Sequence, residues 1–299
     1  MNIGFIGAGK VGTTIGRHLY ENYVSNEKNE NKLSNNLPEI KIAGYYSRSI
    51  KSSTESADFT KSKYFDNLET LVNLSDTLFI TTNDDEIKNV WDCIKEMNLT
   101  NKVICHLSGS LSSDIFSNIK DKSIYTCSIH PAFAFSDKFT TYKKFNNVHF
   151  VCEGNENAIK ILSDIFIPLG HKFHLIKSED KTKYHLSMVF SSNLYVALIN
   201  SSVNLLNECG FQEKESLDIL ATLTKNNLDS IINKGTKDSL TGPVERNDIN
   251  TIKKHLSILD TKENENNKEI YKALTESLVN IAKNKHPEYD YNELESLIN

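Results

Sequence analysis

The amino-terminal stretch Gly7-Ala8-Gly9-Lys10-Val11-Gly12 has glycines at a spacing that can bind a dinucleotide. In such a motif the first glycine turns the chain, the second admits a pyrophosphate, and the third lets a helix pack closely. The motif needs a strand before it and a helix after it. Asn2–Ile6 is apolar, and Val11–Tyr23 has apolar residues at helical spacing. We therefore expect residues 7–12 to bind phosphate at a helix N-terminus. The alternative is a turn that binds nothing.

The end of the second predicted strand, Ile40–Tyr46, indicates which dinucleotide would bind. An Asp or Glu at this place usually holds a free ribose 2′-hydroxyl. Here the strand is followed by Ser47, Arg48, Ser49 and Lys51, without an acid, and their hydroxyls and cations suit a 2′-phosphate. A guanidinium matches phosphate oxygens in bidentate fashion, so these residues favour NADP over NAD. The alternative is that Arg48 is a solvated surface residue.

Further polar residues follow three later strands, where ligands bind in open α/β sheets. Thr82 and Asn83 are expected to lie along the cofactor, or to cap the following helix. Ser108 and Gly109 would lie near the nicotinamide ribose. His130, at another strand end, would line the site or serve as a structural group, and the same alternatives hold for His106.

Two stretches of the carboxyl-terminal half add candidates for proton transfer and substrate binding. His185 and Ser192 lie in line on a predicted helix with Asn193 beside them, a polar stripe that indicates a ligand, water or a partner helix. We expect a proton to pass through His185, or through water held by the other two. The turn at residues 242–243 would present Thr241 and Arg246, the latter to bind a substrate carboxylate or phosphate. The alternative for Arg246 is an ion pair with Glu245 or Asp248.

The elements that position these residues alternate between strand and helix in the first part of the chain. This alternation predicts an α/β fold with a doubly wound parallel sheet. After residue 178 strand signals vanish, so the chain is expected to divide into a dinucleotide-binding domain, 1–178, and a helical domain, 179–299. Val24–Leu37 is polar and is expected to be an exposed insertion or a frayed helix end. The further strands and helices predicted are Thr77–Thr82, Val103–Leu107, Ser123–Ser128, Val148–Cys152 and His171–Ile176, and Asp66–Leu74, Glu86–Met97, Asn155–Leu169, Lys183–Glu208, Glu213–Lys234, Asp248–Ser257 and Lys268–Lys285.

Composition excludes several classes of function. A net charge of -5 without a long basic run argues against nucleic-acid binding. No window has the ~18 uninterrupted apolar residues of a membrane span, and no signal peptide is visible, so a cytoplasmic location is expected. The five cysteines show no CxxC pair and are expected to be buried, reduced thiols. No metal site is predicted.

Four stretches together resemble a known group: GFIGAGKVG, HLSG at 106–109, His130-Pro131, and residues 184–193 with LTGPVERND at 240–248. The chain resembles Rossmann-like proteins with a DUF2520 domain, relatives of pyrroline-5-carboxylate reductase and the 6-phosphogluconate dehydrogenase superfamily. The resemblance implies a nicotinamide-dependent oxidoreductase that acts on a small polar substrate. Hydroxyacid dehydrogenases of that superfamily carry a lysine four residues before an asparagine, whereas Val189 stands there in this chain.

From these observations we expect an NADP-dependent enzyme that reduces an imine or a carbonyl, assembled as a homodimer through its helical domain. One alternative is a pyrroline-5-carboxylate reductase. The other is a non-catalytic NADP-binding sensor or scaffold.

Overall fold

The computed structural model describes residues 1–24, 38–119 and 123–299. Within these ranges the chain packs as two compact units, Met1–Asn193 and Leu194–Asn299. The domain boundary expected at residue 178 lies before this division, because the helix that follows residue 180 packs with the first unit. The predicted polar insertion falls, apart from Val24, outside the described residues.

An eight-stranded sheet forms the centre of the first unit. Its strand order is β3-β2-β1-β4-β5-β6-β7-β8, and all neighbouring strands are parallel except β6 and β7. The predicted doubly wound sheet is therefore confirmed, with one antiparallel pair and one strand, β3, that the sequence pattern did not indicate. The strands are β1 Asn2–Ile6, β2 Lys41–Tyr46, β3 Lys63–Phe65, β4 Thr77–Ile80, β5 Val103–His106, β6 Tyr125–Pro131, β7 His149–Gly154 and β8 Lys172–Leu175.

Helices cover both faces of this sheet, and buried aromatic and aliphatic side chains fill the space between them. The unpredicted helix, α2, is rich in Ser and Thr and lacks a clear apolar stripe. It starts where the Ser49 hydroxyl accepts a hydrogen bond from the Ser52 N–H. The helices of the first unit are α1 Lys10–Leu19, α2 Ile50–Thr60, α3 Leu68–Leu74, α4 Asp84–Ile94, α5 Glu156–Phe166 and α6 Lys181–Ser191.

The second unit is helical throughout its length, as expected. Its core contains Ile252, Val279, Tyr291 and Leu294, all nearly inaccessible to solvent. Helix α8 changes direction at Gly235, whose φ of 81° is not helical. The short helix α11 was not predicted. The helices are α7 Asn193–Glu208, α8 Glu213–Ser239, α9 Ile249–Leu259, α10 Glu265–Lys285 and α11 Asn292–Ile298.

The single long helix predicted over Lys183–Glu208 is wrong, because the helix breaks at Ser192. This residue has φ -129° and ψ -78°, and α6 ends before it. By length and composition alone, the helical run Ser178–Glu208 is apolar enough to cross a membrane, with a mean hydropathy of 1.3. Only 6% of that window is buried within the chain.

The cysteines divide into two classes, so the expectation of five buried thiols is partly wrong. Cys105, Cys127 and Cys152 lie on neighbouring strands of the sheet and are buried. Cys93 and Cys209 are exposed, one in each unit. All five are free thiols.

A buried histidine pair joins α1 to the start of β8. His171 Nδ1 accepts the Val148 N–H at 3.1 Å, so its proton lies on Nε2, which donates to His18 Nε2 at 2.9 Å. Burial lowers the pKa of both imidazoles to about 4, and the charge of His171 further lowers that of His18. Protonation of His18 would place two N–H groups against each other in an apolar setting.

This pair makes the stability of the first unit dependent on pH. The folded pKa values lie below the unfolded value of about 6.5, so the unfolded chain binds more protons at intermediate pH. Stability is therefore complete above about pH 6.5 and is lost as pH falls towards 4. We expect the free energy of unfolding to fall by on the order of 1–3 kcal/mol through this pair alone. Urea denaturation followed by the fluorescence of Trp91, the single tryptophan, would report this unit.

The variant His18→Gln keeps an acceptor for His171 and removes one titrating group, so its stability should depend less steeply on pH. His149→Gln changes an exposed histidine and serves as the matched control. Equal pH slopes for wild type and His18→Gln would contradict this account.

Candidate functional site

The glycine motif forms the predicted strand–turn–helix. Gly7 has φ +113°, and a Cβ there would lie 2.7 Å from the Thr81 backbone. A Cβ on Gly12 would lie 2.5 Å from Thr81 Oγ1, so its absence allows α1 to pack against the end of β4. No heavy atom lies within 4 Å of a Cβ built on Gly9, and no side chain caps the helix there. The helix N-terminus is thus open to a phosphate-sized anion.

The remaining residues of the motif divide between packing and exposure. Ala8 is buried, and its carbonyl accepts the Ser52 hydroxyl at 2.8 Å. The side chain of Lys10 is exposed and that of Val11 half-buried. The hydrogen bond from Gly7 N–H to the Tyr46 carbonyl, 2.8 Å, fixes the turn beside the end of β2.

Arg48 lies at that strand end with its side chain 80% exposed. Its Nη1 is 3.2 Å from Glu86 Oε1 on α4. Ser49 caps α2, and Ser47 Oγ accepts the Ser49 N–H at 3.3 Å. A guanidinium and two hydroxyls therefore stand together, as predicted, but a carboxylate from another element already pairs with the guanidinium.

A cavity of about 260 Å³ connects the glycine turn with this strand end. Thr82 and Asn83 line it, which places both predicted residues at the same cavity. The buried Thr82 Oγ1 has no hydrogen-bond partner in the described part of the chain. Asn83 precedes α4, although its side chain does not cap the helix. A buried hydroxyl without a partner is the kind of group that a bound ligand satisfies.

The loop after β5 is organised by its own polar groups. The Ser108 hydroxyl donates to Asp84 Oδ2 at 2.7 Å and accepts the Ser110 and Leu111 N–H groups at 3.2 and 3.0 Å. His106 is buried between the Ser108 N–H and the Ser112 carbonyl. Burial lowers its pKa to about 4. His106 is accordingly a satisfied structural group, and the Ser108 hydroxyl holds the loop in shape.

Lys181, at the start of α6, reaches under this loop. Its Nζ donates to the Ser108 carbonyl and to Ser128 Oγ, both at 2.8 Å, and the residue is 1% exposed. No carboxylate of the described residues lies within 4.0 Å of it. The Glu153 carboxylate, also buried, instead accepts hydrogen bonds from Ser113 and Ser178. Burial lowers the pKa of Lys181 to about 8, with Glu153 opposing that shift.

Two further side chains of α6 meet His130 beside Gly109. Tyr184 Oη lies 2.7 Å from His130 Nδ1. The His130 and His185 rings are 6.3 Å apart at 83°. A Cβ on Gly109 would lie 2.5 Å from His185 Cδ2 and 3.0 Å from His130 Nε2, so only glycine admits both imidazoles. The structure thus brings three predicted residues, His130, His185 and Gly109, into contact within the first unit.

Ser192 and Asn193 do not continue this cluster as a buried stripe. Both side chains are exposed, and the Ser192 hydroxyl donates to the Met188 carbonyl at 2.6 Å. The break at Ser192 removes the helical alignment with His185 on which their prediction depended. Because they are exposed, neither side chain carries a cost of burial that a ligand would have to relieve.

Thr241 and Arg246 lie on a well-fixed corner of the second unit. The Glu245 carboxylate pairs with His286 and Lys285 at 2.8 and 3.2 Å, and the Asn247 amide donates to the Asp290 carbonyl. Asp248 caps α9. These contacts leave Arg246 exposed, with no carboxylate of the described residues within 4.0 Å. The alternative ion pair with Glu245 or Asp248 is thus not formed within 4.0 Å, although hydrogen bonds from Thr251 and, to a smaller extent, the charge of Arg246 lower the pKa of Asp248.

Lys181 and Tyr184 are the residues that sequence reasoning missed. The signal was present, since positions 181, 184 and 185 share one face of a helix at i, i+3 and i+4. The predicted helix begins at residue 183, so it does not include the lysine. Across the described ranges, no group of three or more His, Cys, Asp or Glu side chains is arranged to hold a metal ion.

Comparisons with known proteins agree with this architecture. Residues 148–278 match the family described as "Domain of unknown function (DUF2520)". No curated protein matches the chain.

Solved structures match along nearly the whole chain. A protein from Bacteroides fragilis, provisionally named an NADP oxidoreductase, has a TM-score of 0.72 at 20% identity, over 93% of this chain and 98% of its own. A protein from Thermotoga maritima has a TM-score of 0.68 at 26% identity, over 95% of this chain and 99% of its own. The pyrroline carboxylate reductase of Plasmodium falciparum, solved with NADP bound, has a TM-score of 0.59 at 18% identity, over 95% of this chain and 96% of its own. The chain therefore has a Rossmann-like fold, and its residues 148–278 match the DUF2520 family.

Proposed function

We propose that this chain is an NADP-dependent oxidoreductase, which transfers a hydride between the nicotinamide and a carbonyl or imine carbon of a small polar substrate. One observation carries the proposal. The open glycine turn follows β1, and Gly109, against which His130 and His185 lie, follows β5, a parallel strand of the same sheet. Dinucleotides bind at that edge of such sheets. The NADP bound to the Plasmodium reductase supports the same choice of cofactor.

The residues present fit the phosphates of such a cofactor. The uncapped N-terminus of α1 and the open space at Gly9 suit a pyrophosphate, and Arg48 with Ser47 and Ser49 suits a 2′-phosphate. The unpartnered Thr82 hydroxyl and Asn83 would contact the dinucleotide along the cavity. When bound, the nicotinamide supplies the hydride.

Glu86 competes with the 2′-phosphate for Arg48. An exposed ion pair contributes on the order of 0.2–1 kcal/mol, whereas a hydrogen bond between charged groups contributes about 1.5–3 kcal/mol. The phosphate is therefore expected to displace the carboxylate.

Cofactor binding tests this assignment directly. We expect Arg48→Ala to weaken NADPH binding by roughly tenfold and to leave NADH binding nearly unchanged. Glu86→Gln should tighten NADPH binding by a few fold, because it frees the guanidinium and removes a repulsive charge. Calorimetry with each cofactor measures both effects, and Lys63→Ala is the control, because it removes an exposed cation that does not line the cavity. Equal affinity of wild type for NADH and NADPH would contradict the 2′-phosphate assignment.

For the chemistry we propose that His185 passes the proton, and that Arg246 binds a carboxylate or phosphate of the substrate with Thr241 beside it. The place of His185 against Gly109 and the unpaired guanidinium of Arg246 support these roles. Ser192 and Asn193 remain candidates for holding water. Pyrroline-5-carboxylate reductase is the narrower alternative, and a sensor that binds NADP without turnover is the alternative from another class.

A panel of 2-oxo acids, aldehydes and cyclic imines with NADPH separates these possibilities. We expect turnover of at least one member, and a loss of about 10²- to 10⁴-fold in kcat for His185→Ala with NADPH affinity unchanged. Arg246→Ala should raise KM for carboxylate-bearing members only. Turnover confined to pyrroline-5-carboxylate would establish the narrower enzyme. NADPH binding without any turnover would instead favour the sensor.

We also propose that the chain forms a homodimer through the second unit. Nine large apolar side chains between residues 194 and 239 are exposed: Leu194, Tyr195, Val196, Phe211, Leu217, Ile219, Leu223, Leu228 and Ile232. Single exposed leucines are ordinary, but apolar patches on this scale mark interfaces. A second copy is favoured over a bilayer because Lys181, near the start of the run Ser178–Glu208, is fixed inside the first unit by its hydrogen bonds to Ser108 and Ser128.

Replacement of Val196 and Ile232 by lysine should convert the dimer to monomers, because each charge would be buried at the interface. Light scattering after size exclusion measures the mass, and Ile258→Lys, an exposed residue on α9, is the control. A monomeric wild type, or one that floats with lipid vesicles, would overturn the proposal.

A further inference from the structure

The loop between β6 and β7 carries a lysine to the first turn of α2. Lys138 Nζ lies 3.0 Å from Ser52 Oγ, 3.1 Å from the Ser52 carbonyl oxygen and 3.2 Å from Glu55 Oε2. An ammonium group has three N–H donors and no acceptor, so these three oxygens use all of its donors. The side chain is only 16% exposed. Lys138 therefore has a fixed position on α2, next to the cavity that Ser52 lines.

The loop is built to keep the lysine in this place. Asp137 Oδ1 accepts hydrogen bonds from the N–H groups of Phe139 and Thr140 at 2.9 and 2.8 Å, and from the Thr140 hydroxyl at 2.7 Å. The Phe139 ring packs edge-on against Phe59 of α2, with 5.1 Å between the ring centroids. Polar and aromatic contacts thus fix the residues on both sides of Lys138.

The Ser52 hydroxyl connects Lys138 to the glycine turn. Because the ammonium can only donate, the hydroxyl accepts from it, and its own proton is free for the Ala8 carbonyl oxygen at 2.8 Å. Ser56 Oγ lies 3.3 Å from the same carbonyl oxygen, but its single proton is also within reach of the Ser52 carbonyl and the Thr13 hydroxyl. The chain of donors therefore runs from Lys138 through Ser52 to Ala8, and hydrogen bonds in such a chain strengthen one another.

A fixed Ala8 carbonyl also fixes the amide of the next residue. The peptide between Ala8 and Gly9 is trans, so its N–H and its C=O point in opposite directions. Since the carbonyl is turned to α2, the Gly9 N–H points away from that helix. Gly9 is exposed, and its N–H has no hydrogen-bond partner in the part of the chain that the structure describes. The turn therefore offers this donor to an anion at the N-terminus of α1.

The restraint matters because residue 9 is a glycine. A flip of this peptide rotates ψ of Ala8 and φ of Gly9, and it would move the φ of Gly9 from -82° to a positive value. Glycine adopts positive φ about as readily as negative φ. The flipped peptide would present a carbonyl oxygen to bound phosphates, so that an attraction would become a repulsion. The hydrogen bond from Ser52 opposes this flip.

On this basis, and resting on the proposed function, we infer that Lys138 is a positioning residue of the cofactor site. Through Ser52 it holds the Ala8–Gly9 peptide with its N–H available to the pyrophosphate of the dinucleotide. The pyrophosphate is common to NADH and NADPH. This role is therefore independent of the 2′-phosphate that we assign to Arg48.

Binding of the two reduced cofactors tests the role of Lys138. We expect Lys138→Met to weaken NADPH and NADH binding by the same factor, about three- to tenfold, because a hydrogen bond to the shared pyrophosphate is lost. The comparison is made in a Glu55→Gln background, so that no unpaired carboxylate remains on α2. Lys144→Met removes an exposed cation of the same loop and is the matched control.

Two results of this measurement would overturn the inference. Unchanged affinities for both cofactors would show that Lys138 does not position the turn. A loss confined to NADPH would show that Lys138 acts through its charge on the 2′-phosphate.

Ser52→Ala separates positioning from charge, because it breaks the same chain of hydrogen bonds and leaves every charge in place. We expect a loss similar to that of Lys138→Met for both cofactors, and little further loss in the double variant. Thr54→Ala, which removes another hydroxyl that bonds within α2, is the control. Additive losses, or full affinity of Ser52→Ala, would contradict the connection through Ser52.

Proton–nitrogen NMR of glycine-labelled protein examines the peptide without any cofactor. The chain has 12 glycines, and Gly9→Ala identifies the signal of the Gly9 amide. We expect one sharp Gly9 signal in the wild type and in Lys144→Met, and a displaced or broadened signal in Lys138→Met and Ser52→Ala. An unaltered signal in the last two variants would overturn the inference. A wild type that binds neither cofactor would contradict the proposed function, and the Gly9 signal would then still decide whether Lys138 fixes the peptide.

Discussion

The two hydrogen bonds of the Lys181 ammonium determine where the candidate site can form. They join the first turn of α6 to the loop after β5 and to the middle of β6, through Ser108 and Ser128. A buried cation without a paired carboxylate is costly, so this lysine must keep both acceptors for the fold to retain it. These bonds therefore favour one rotation of the helix about its axis. That rotation brings Tyr184 to His130 and His185 to Gly109.

The nucleotide-binding half of the site follows from local sequence. A strand, a glycine turn and an apolar helix are all short-range features, and the motif at residues 7–12 places them within 20 residues of one another. The absence of an acid directly after β2 is likewise visible in the sequence. The carboxylate of Glu86 could not be foreseen, because it reaches Arg48 from α4, 38 residues later. Likewise, β3 is a strand of three residues and α2 is dominated by hydroxyl side chains. Neither element therefore shows a hydrophobic periodicity in its sequence.

The catalytic half depends on side-chain contacts that no spacing reveals. Ser192 looked like part of a polar stripe because a continuous helix was assumed, yet its backbone leaves the helical region. Ser108 was expected beside a ribose. Its hydroxyl instead donates a hydrogen bond to Asp84 and accepts hydrogen bonds from two backbone N–H groups. Conversely, Lys181 has the sequence signature of an exposed helix-start lysine. Its burial results from the long-range approach of β5 and β6.

The pair formed by Arg48 and Glu86 has a consequence for the evolution of cofactor choice. A ribose with a free 2′-hydroxyl is usually held by an acid at the end of β2, and this chain keeps an acid within reach of that position on a different helix. Rotation of a single arginine side chain would expose the carboxylate to a ribose instead of a phosphate. The preference for one dinucleotide over the other thus depends on a side-chain rotamer at the surface, where Arg48 and Glu86 act in opposite directions without any change in the backbone.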